Sequence, residues 1–211
     1  FEYKEVVPKG FVRILGRLGE LSDKGVRIVF LTGNHDMWVG DYLTEECGIT
    51  LYTKPQTFAI AGKTLFVAHG DNMNIKGQPV LQAMNAIFRS KSLRWLASGL
   101  IHPNCFMRFG QWWSGKSRKS HKGGKSAKML DPLIEYATEY RWAHEVDYFV
   151  FGHLHYAHDY VDRMRVLKVN EDNLMYEKSF DERILFMGDW HSQPSYIALD
   201  NNGKIELKHY N

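Results

Sequence analysis

The chain has 211 residues, of which 44% are hydrophobic and 24% charged, and its formal net charge is +3. These proportions are ordinary for one soluble globular domain, or one domain carrying an insertion, and the length allows a sizeable core. No apolar run approaches the roughly 20 residues needed to cross a bilayer, which excludes a helical membrane-spanning class. The two cysteines, Cys47 and Cys105, lack metal-type spacing and read as structural thiols of a reducing compartment, the cytoplasm.

In chain order, Phe11, Ile14, Leu15, Leu18 and Leu21 recur with a helical period. Pro8 suits the start of that helix and Gly25 its end. Val26 to Leu31 reads as a buried strand, followed abruptly by Gly33-Asn34-His35-Asp36. Val39 to Cys47 reads as a short helix stopped by Gly48. Ile49 to Tyr52 and Phe58 to Ile60 read as short strands, and Ala61-Gly62-Lys63 as a hairpin-like turn into a strand from Thr64 to Ala68. That strand ends in His69-Gly70-Asp71.

Between Asp71 and Asp131 the pattern changes. That stretch holds eleven Lys and Arg and no Asp or Glu, so the rest of the chain carries 3 − 11 = −8. A segment so one-sided expects an anionic partner. Val80, Leu81, Met84, Ile87 and Phe88 form one helical stripe. Leu93, Trp95, Leu96, Leu100 and Ile101 form a second, and Phe106, Met107, Phe109, Trp112 and Trp113 a third. Ser114 to Ser126 is poor in apolar residues and is expected to be mobile. The whole of 72–128 reads as a helical cap inserted into a core made of 1–71 and 129–211.

Met129 to Val146 reads as a helix with Leu130, Leu133, Ile134, Ala137, Tyr140 and Ala143 on its apolar side. It leads to a third apolar strand, from Asp147 to Phe151, ending in Gly152-His153-Leu154-His155. Ile184 to Met187, Tyr196 to Leu199 and Ile205 to Leu207 read as antiparallel strands, with Asn201-Asn202-Gly203 as a turn. Asp189 and His191, in Gly188-Asp189-Trp190-His191, read as supporting or loop residues.

One strand ending in Gly, Asn, His and Asp decides nothing, because these are common turn residues. Three strands that each end in Gly beside His point further. Their ends can converge on one rim of a sheet, where open α/β sheets place ligands, and His is the commonest transition-metal ligand. No Ser-His-Asp arrangement or Gly-rich phosphate loop offers a competing chemistry.

Gly-Asn-His-Asp, then His-Gly-Asp, then Gly-His-x-His, in that order at strand ends, resembles the calcineurin-like metallophosphoesterases. The resemblance spans about Gly25 to Asn211. It implies an α/β (α+β) fold, a two-sheet sandwich flanked by helices, and two divalent metal ions, Mn²⁺, about 3.5–4 Å apart. By motif, Asn34, His69 and His153 would bind one metal and His155 the other. His35 would face the reacting phosphoryl group, oriented by Asp36. The family also carries Asp-x-His and Gly-Asp motifs upstream of Gly-Asn-His-Asp. Nothing here corresponds to them, so the sequence is expected to start inside the domain, just after the Gly-Asp motif.

Within that family the chain is most similar to the UDP-2,3-diacylglucosamine hydrolases, which carry a helical, basic and apolar insertion after His-Gly-Asp and the late Gly-Asp-Trp. The resemblance implies a lipid-linked sugar nucleotide as substrate, split to UMP and a lipid monophosphate in lipid A biosynthesis. Lys116, Arg118, Lys119, Lys122, Trp112 and Trp113 would contact the substrate. The enzyme would be cytoplasmic and peripheral to an anionic inner-membrane surface, with nucleic acid not expected as a partner. Many of those hydrolases have Arg where this chain has His35. The alternatives are a nuclease or nucleotide phosphodiesterase of the same superfamily, and a non-catalytic scaffold that binds a membrane or partner.

Overall fold

A computed structural model describes residues 2, 6–7, 9–36, 38–71, 73, 79–88, 90–120, 129–169, 175–190 and 194–210. The chain divides into two compact units, Phe1–Lys54 with Ile75–Lys125, and Pro55–Asn74 with Ser126–Asn211.

The first unit opens with α1 (Val12–Asp23). Gly25, at φ +82°, ends it, its N–H donating to the Ser22 carbonyl at 2.8 Å. Then come β1 (Val29–Leu31), α2 (Tyr42–Glu45) and β2 (Thr50–Tyr52), with β1 and β2 paired in parallel. Each is shorter than the sequence pattern suggests. The Glu2 carboxylate accepts from the N–H groups of Gly40 and Tyr42 at 2.7 and 3.1 Å, supplying acceptors at the entry to α2. The same unit holds the cap helices α3 (Pro79–Phe88), α4 (Lys91–Leu100) and α5 (Pro103–Ser120). The Ser90 hydroxyl caps α4 by accepting from Leu93 N–H. Residues 114–120, the first part of the segment expected to be mobile, continue α5 as helix. Lys, Arg and Ser are acceptable helix formers whatever their polarity, and only Gly115 among these residues opposes the helix strongly. The remainder of the segment expected to be mobile, 121–126, lies outside the described residues.

The second unit is built on a five-stranded mixed sheet. Its strands are β3 (Gln56–Ile60), β4 (Lys63–Ala68), β5 (Tyr148–Phe151), β6 (Ala157–Val169) and β7 (Met175–Met187), in the order β3-β4-β5-β7-β6. The central strands β4, β5 and β7 run parallel, and β3 and β6 flank them antiparallel. Residues 184–187 have the expected antiparallel neighbour in β6 and, on their other side, a parallel neighbour in β5. A short apolar run carries no information on its partner's direction.

Alternation along the three central strands sorts side chains onto two faces. Phe66, Ala68, Phe149, Phe151, Ile184 and Phe186 pack against Leu130, Leu133 and Ala137, the last two on α6 (Asp131–Ala143). Leu65, Val150 and Leu185 face the other way, onto Ile197 and Leu199 of β8 (Ser195–Leu199) and Ile205 and Leu207 of β9 (Ile205–His209). The unit is therefore a two-sheet sandwich with a helix on its outer face. Phe149, Phe151 and Phe186 are all 0% exposed, and burial of each contributes about 1.5–3 kcal/mol.

Candidate active site

Because β4, β5 and β7 are parallel, their carboxyl ends share one rim of the sheet. His69-Gly70-Asp71 follows β4, Gly152-His153-Leu154-His155 follows β5, and Gly188-Asp189 follows β7. The His69 and His153 rings stand 5.2 Å apart between centroids, tilted edge to face at 67°. Gly152 joins the two loops through its backbone. Its N–H donates to the His69 carbonyl at 3.2 Å, and a Cβ there would lie 3.5 Å from His69 Nδ1. His155 Nδ1 is 3.8 Å from Asp189 Oδ2. His153 and His155 both adopt left-handed backbone, at φ +63° and +53°. Only one other described non-glycine residue does so, Ala61.

The first motif lies in the other unit. Past β1, Thr32 N–H donates to the Tyr52 carbonyl, and Gly33 N–H donates to Asp36 Oδ2 at 3.3 Å. Asp36 N–H returns to the Gly33 carbonyl at 3.1 Å. The Asp36 carboxylate thus closes the turn that carries Asn34 and His35. Asn34 is half-buried and His35 exposed. Two residues after Asp36, Trp38 is buried against the cap, stacked on Phe106 of α5 at 4.9 Å with Leu93 and Ala97 beside it. Arg94 donates to the Val39 carbonyl at 2.8 Å. Trp38 was not singled out from sequence, although an aromatic residue just after a polar loop is the kind of anchor that fixes such a loop.

Phe109 and Trp112 extend the Trp38–Phe106 stack along α5 at three-residue spacing, with centroid separations of 6.3 and 6.0 Å. Exposure rises along this ladder, from 8% at Trp38 and 7% at Phe106 to 42% at Phe109 and 59% at Trp112. On α4, Trp95 and Leu100 are 76% and 77% exposed. Lys116, Arg118, Lys119 and Trp113 lie on α5, while Lys122 and His191 lie outside the described residues.

Among the described residues, no three His, Cys, Asp or Glu side chains gather into a group that could hold a metal. The His69–His153 pair nevertheless suits two ligands of one ion. An imidazole nitrogen about 2.0–2.1 Å from a metal puts its ring centroid about 3.2 Å away, so two such rings at a tetrahedral angle stand about 5 Å apart. The observed separation is 5.2 Å. Of the predicted ligands, Asn34 lies in the first unit and His69, His153 and His155 lie in the second.

No family model matches the chain. Individual proteins do. It is 34% identical over 214 residues to a UDP-2,3-diacylglucosamine hydrolase of Porphyromonas gingivalis, covering 95% of this chain and 75% of that one. It is 26% identical to the protein of that name from Ectopseudomonas mendocina, covering 90% and 72%. A third, from Neisseria meningitidis serogroup C, is 25% identical, covering 88% and 70%. Identity at this level, sustained along nearly the whole chain, places it with these hydrolases: the chain belongs to the UDP-2,3-diacylglucosamine hydrolase family of metallophosphoesterases.

Proposed function

We propose that the protein hydrolyses the pyrophosphate of UDP-2,3-diacylglucosamine to UMP and 2,3-diacylglucosamine 1-phosphate (lipid X), a step of lipid A biosynthesis, using two divalent metal ions, Mn²⁺. The observation that carries this reading is the 34% identity to a hydrolase of that name across 95% of the chain. The histidines on the carboxyl rim support it chemically. Asn34, His69 and His153 hold one metal in this reading and His155 the other. When bound, the metals supply charge neutralisation at the phosphoryl oxygens and acidify water.

His35 hydrogen-bonds a phosphoryl oxygen or gives a proton to the leaving group. Asp36 acts on it through the loop, whose turn it closes by accepting from Gly33 N–H. The acyl chains need apolar surface and the phosphates need cations. Exposed Trp95, Leu96, Leu100, Ile101 and Trp112 offer the first. Lys116, Arg118, Lys119 and Lys122 offer the second, with Trp112 and Trp113 at the acyl chains. The same combination suits an anionic membrane, where apolar residues are buried among the lipids and lysines are attracted to headgroups. We therefore place the enzyme on the cytoplasmic face of the inner membrane. No described helix is long and apolar enough to cross that membrane.

The test is UMP release from detergent-dispersed substrate, with Mn²⁺ and with a chelator, beside single-stranded DNA as a competing substrate. Metal-dependent release of UMP with DNA left intact is expected. Release that survives the chelator, or preferred cleavage of DNA, overturns the proposal.

A further inference from the structure

We propose that Asp189 is a positioning residue for His155. Its carboxylate keeps the ring proton on Nδ1 and so leaves Nε2 with the lone pair that a metal requires. The inference rests on the metal reading above for its purpose, but its geometry stands within one unit. Asp189 Oδ2 lies 3.8 Å from His155 Nδ1, and the Asp189 side chain is only 10% exposed while that of His155 is 55% exposed. The separation is longer than a hydrogen bond. A carboxylate there still favours the tautomer whose N–H dipole points at it, because which nitrogen carries the proton is set by what faces the other.

The backbone fixes both partners independently. Gly188 sits at φ +75°, and a Cβ there would stand 2.5 Å from Ser195 Oγ and 2.9 Å from Ala157 Cβ. Neither neighbour can give way easily. Ser195 is 2% exposed and its hydroxyl donates to the Met187 carbonyl at 2.5 Å, while Ala157 opens β6 in register with Met187. The residue before Asp189 is thus held in a conformation open to glycine, with no room for a side chain. His155 is itself held left-handed at φ +53°. Two constrained segments, from two strands, meet at one carboxylate–imidazole pair. Such outer partners orient metal-binding histidines and raise their basicity.

The experiment reads the tautomer first, in metal-free protein. Long-range ¹H–¹⁵N spectra are taken near pH 8.5, about two units above the ordinary imidazole pKa. Wild-type His155 should carry its proton on Nδ1, and a proton on Nε2 overturns the proposal without any variant. Asp189→Ala should release the tautomer, and Asp189→Asn, which keeps an acceptor oxygen, should largely restore it. Asp159→Ala removes a carboxylate elsewhere on the sheet and should leave the His155 spectrum unchanged. Calorimetry with Co²⁺ alone gives the second readout. Asp189→Ala should weaken affinity about 10–100-fold, with Asp189→Asn between it and wild type. If wild type binds Co²⁺ and Asp189→Ala binds it equally well, the positioning role falls while the metal reading stands. If wild type binds no Co²⁺ yet the tautomer follows Asp189, the positioning role stands and the metal reading is judged by the chelator test above.

Discussion

Replacing Trp38 with Ala should detach the cap from the loop that carries Asn34 and His35. Trp38 and Phe106 are 8% and 7% exposed, and their rings stack at 4.9 Å and 14°. Truncating a buried aromatic costs about 3–5 kcal/mol, because transfer and cavity terms add. Of that, about 0.5–1.5 kcal/mol belongs to the ring pair itself. Urea unfolding of Trp38→Ala, Phe106→Ala and the double variant isolates the coupling. Trp95→Ala, at a residue 76% exposed, is the control and should change stability by no more than about 0.5 kcal/mol. Amide exchange at residues 34–36 should accelerate in Trp38→Ala, because the turn loses the anchor that follows it. Additivity of the two single variants within about 0.3–0.5 kcal/mol, or unchanged exchange in the loop, would refute the anchoring argument.

His35→Ala should lower turnover about 10²–10⁴-fold with metal content unchanged, whereas His69→Ala should lose metal; plasma emission and a UMP assay on the same samples separate the roles. Replacing Trp112 and Trp113 with Ala should cut activity on the diacylated sugar nucleotide and spare a soluble phosphodiester, and equal losses on both would indicate a folding role instead. Ala61→Asn should raise the urea midpoint, with a gain of about 0.5–1 kcal/mol, because Ala61 and Gly62 form a two-residue hairpin turn at φ +50° and +70°, where Asn-Gly is preferred. Tyr136 has its phenol pushed up, first by burial and then by the charge of Tyr140. A raised folded-state pKa gives stability that is complete below the unfolded value near ~10 and is lost as pH rises through the folded value. Tyr136→Phe should therefore flatten the fall in thermal midpoint between about pH 9 and 11.

What the sequence made legible follows from what buries it. The strands 64–68 and 147–151 announce themselves because both faces are covered, which demands continuous apolar runs. β6 does not announce itself. Asp159, Asp162, Arg163 and Arg165 interrupt it, and no strand was read there. It is held instead by a register with β7 that runs from Ala157↔Met187 to Val169↔Met175, and by Arg183 gripping Asp159 with two hydrogen bonds at 3.0 and 2.7 Å. Such pairing leaves no hydrophobic period to detect. The same limit applies to residues 114–120, where α5 continues without apolar residues. The chemistry-bearing residues were easier. Gly within two residues of His at three strand ends is visible in any reading, yet the nearness of Asp189 to His155 depends on β7 lying next to β5, which no local pattern specifies.

The backbone at the rim is the part that sequence hides most completely, and it bears most directly on function. A left-handed conformation costs an L-residue roughly 1–2 kcal/mol. For Ala61 the cause is plain, since a two-residue hairpin turn demands it. His153 and His155 sit in no hairpin. Glycine would relieve both positions, as it does at Gly70 and Gly188, at φ +106° and +75° on the same rim. The conformation persists because the flanking chain is fixed. Phe149 and Phe151 are fully buried, Gly152 N–H is bonded to the His69 carbonyl, and Leu154 N–H closes onto the Gly152 carbonyl at 2.7 Å. A strand held that firmly can impose strain on the two residues that leave it. Strain that the fold could remove by substitution, but that falls on imidazoles, agrees with the proposed metal-binding role of His153 and His155.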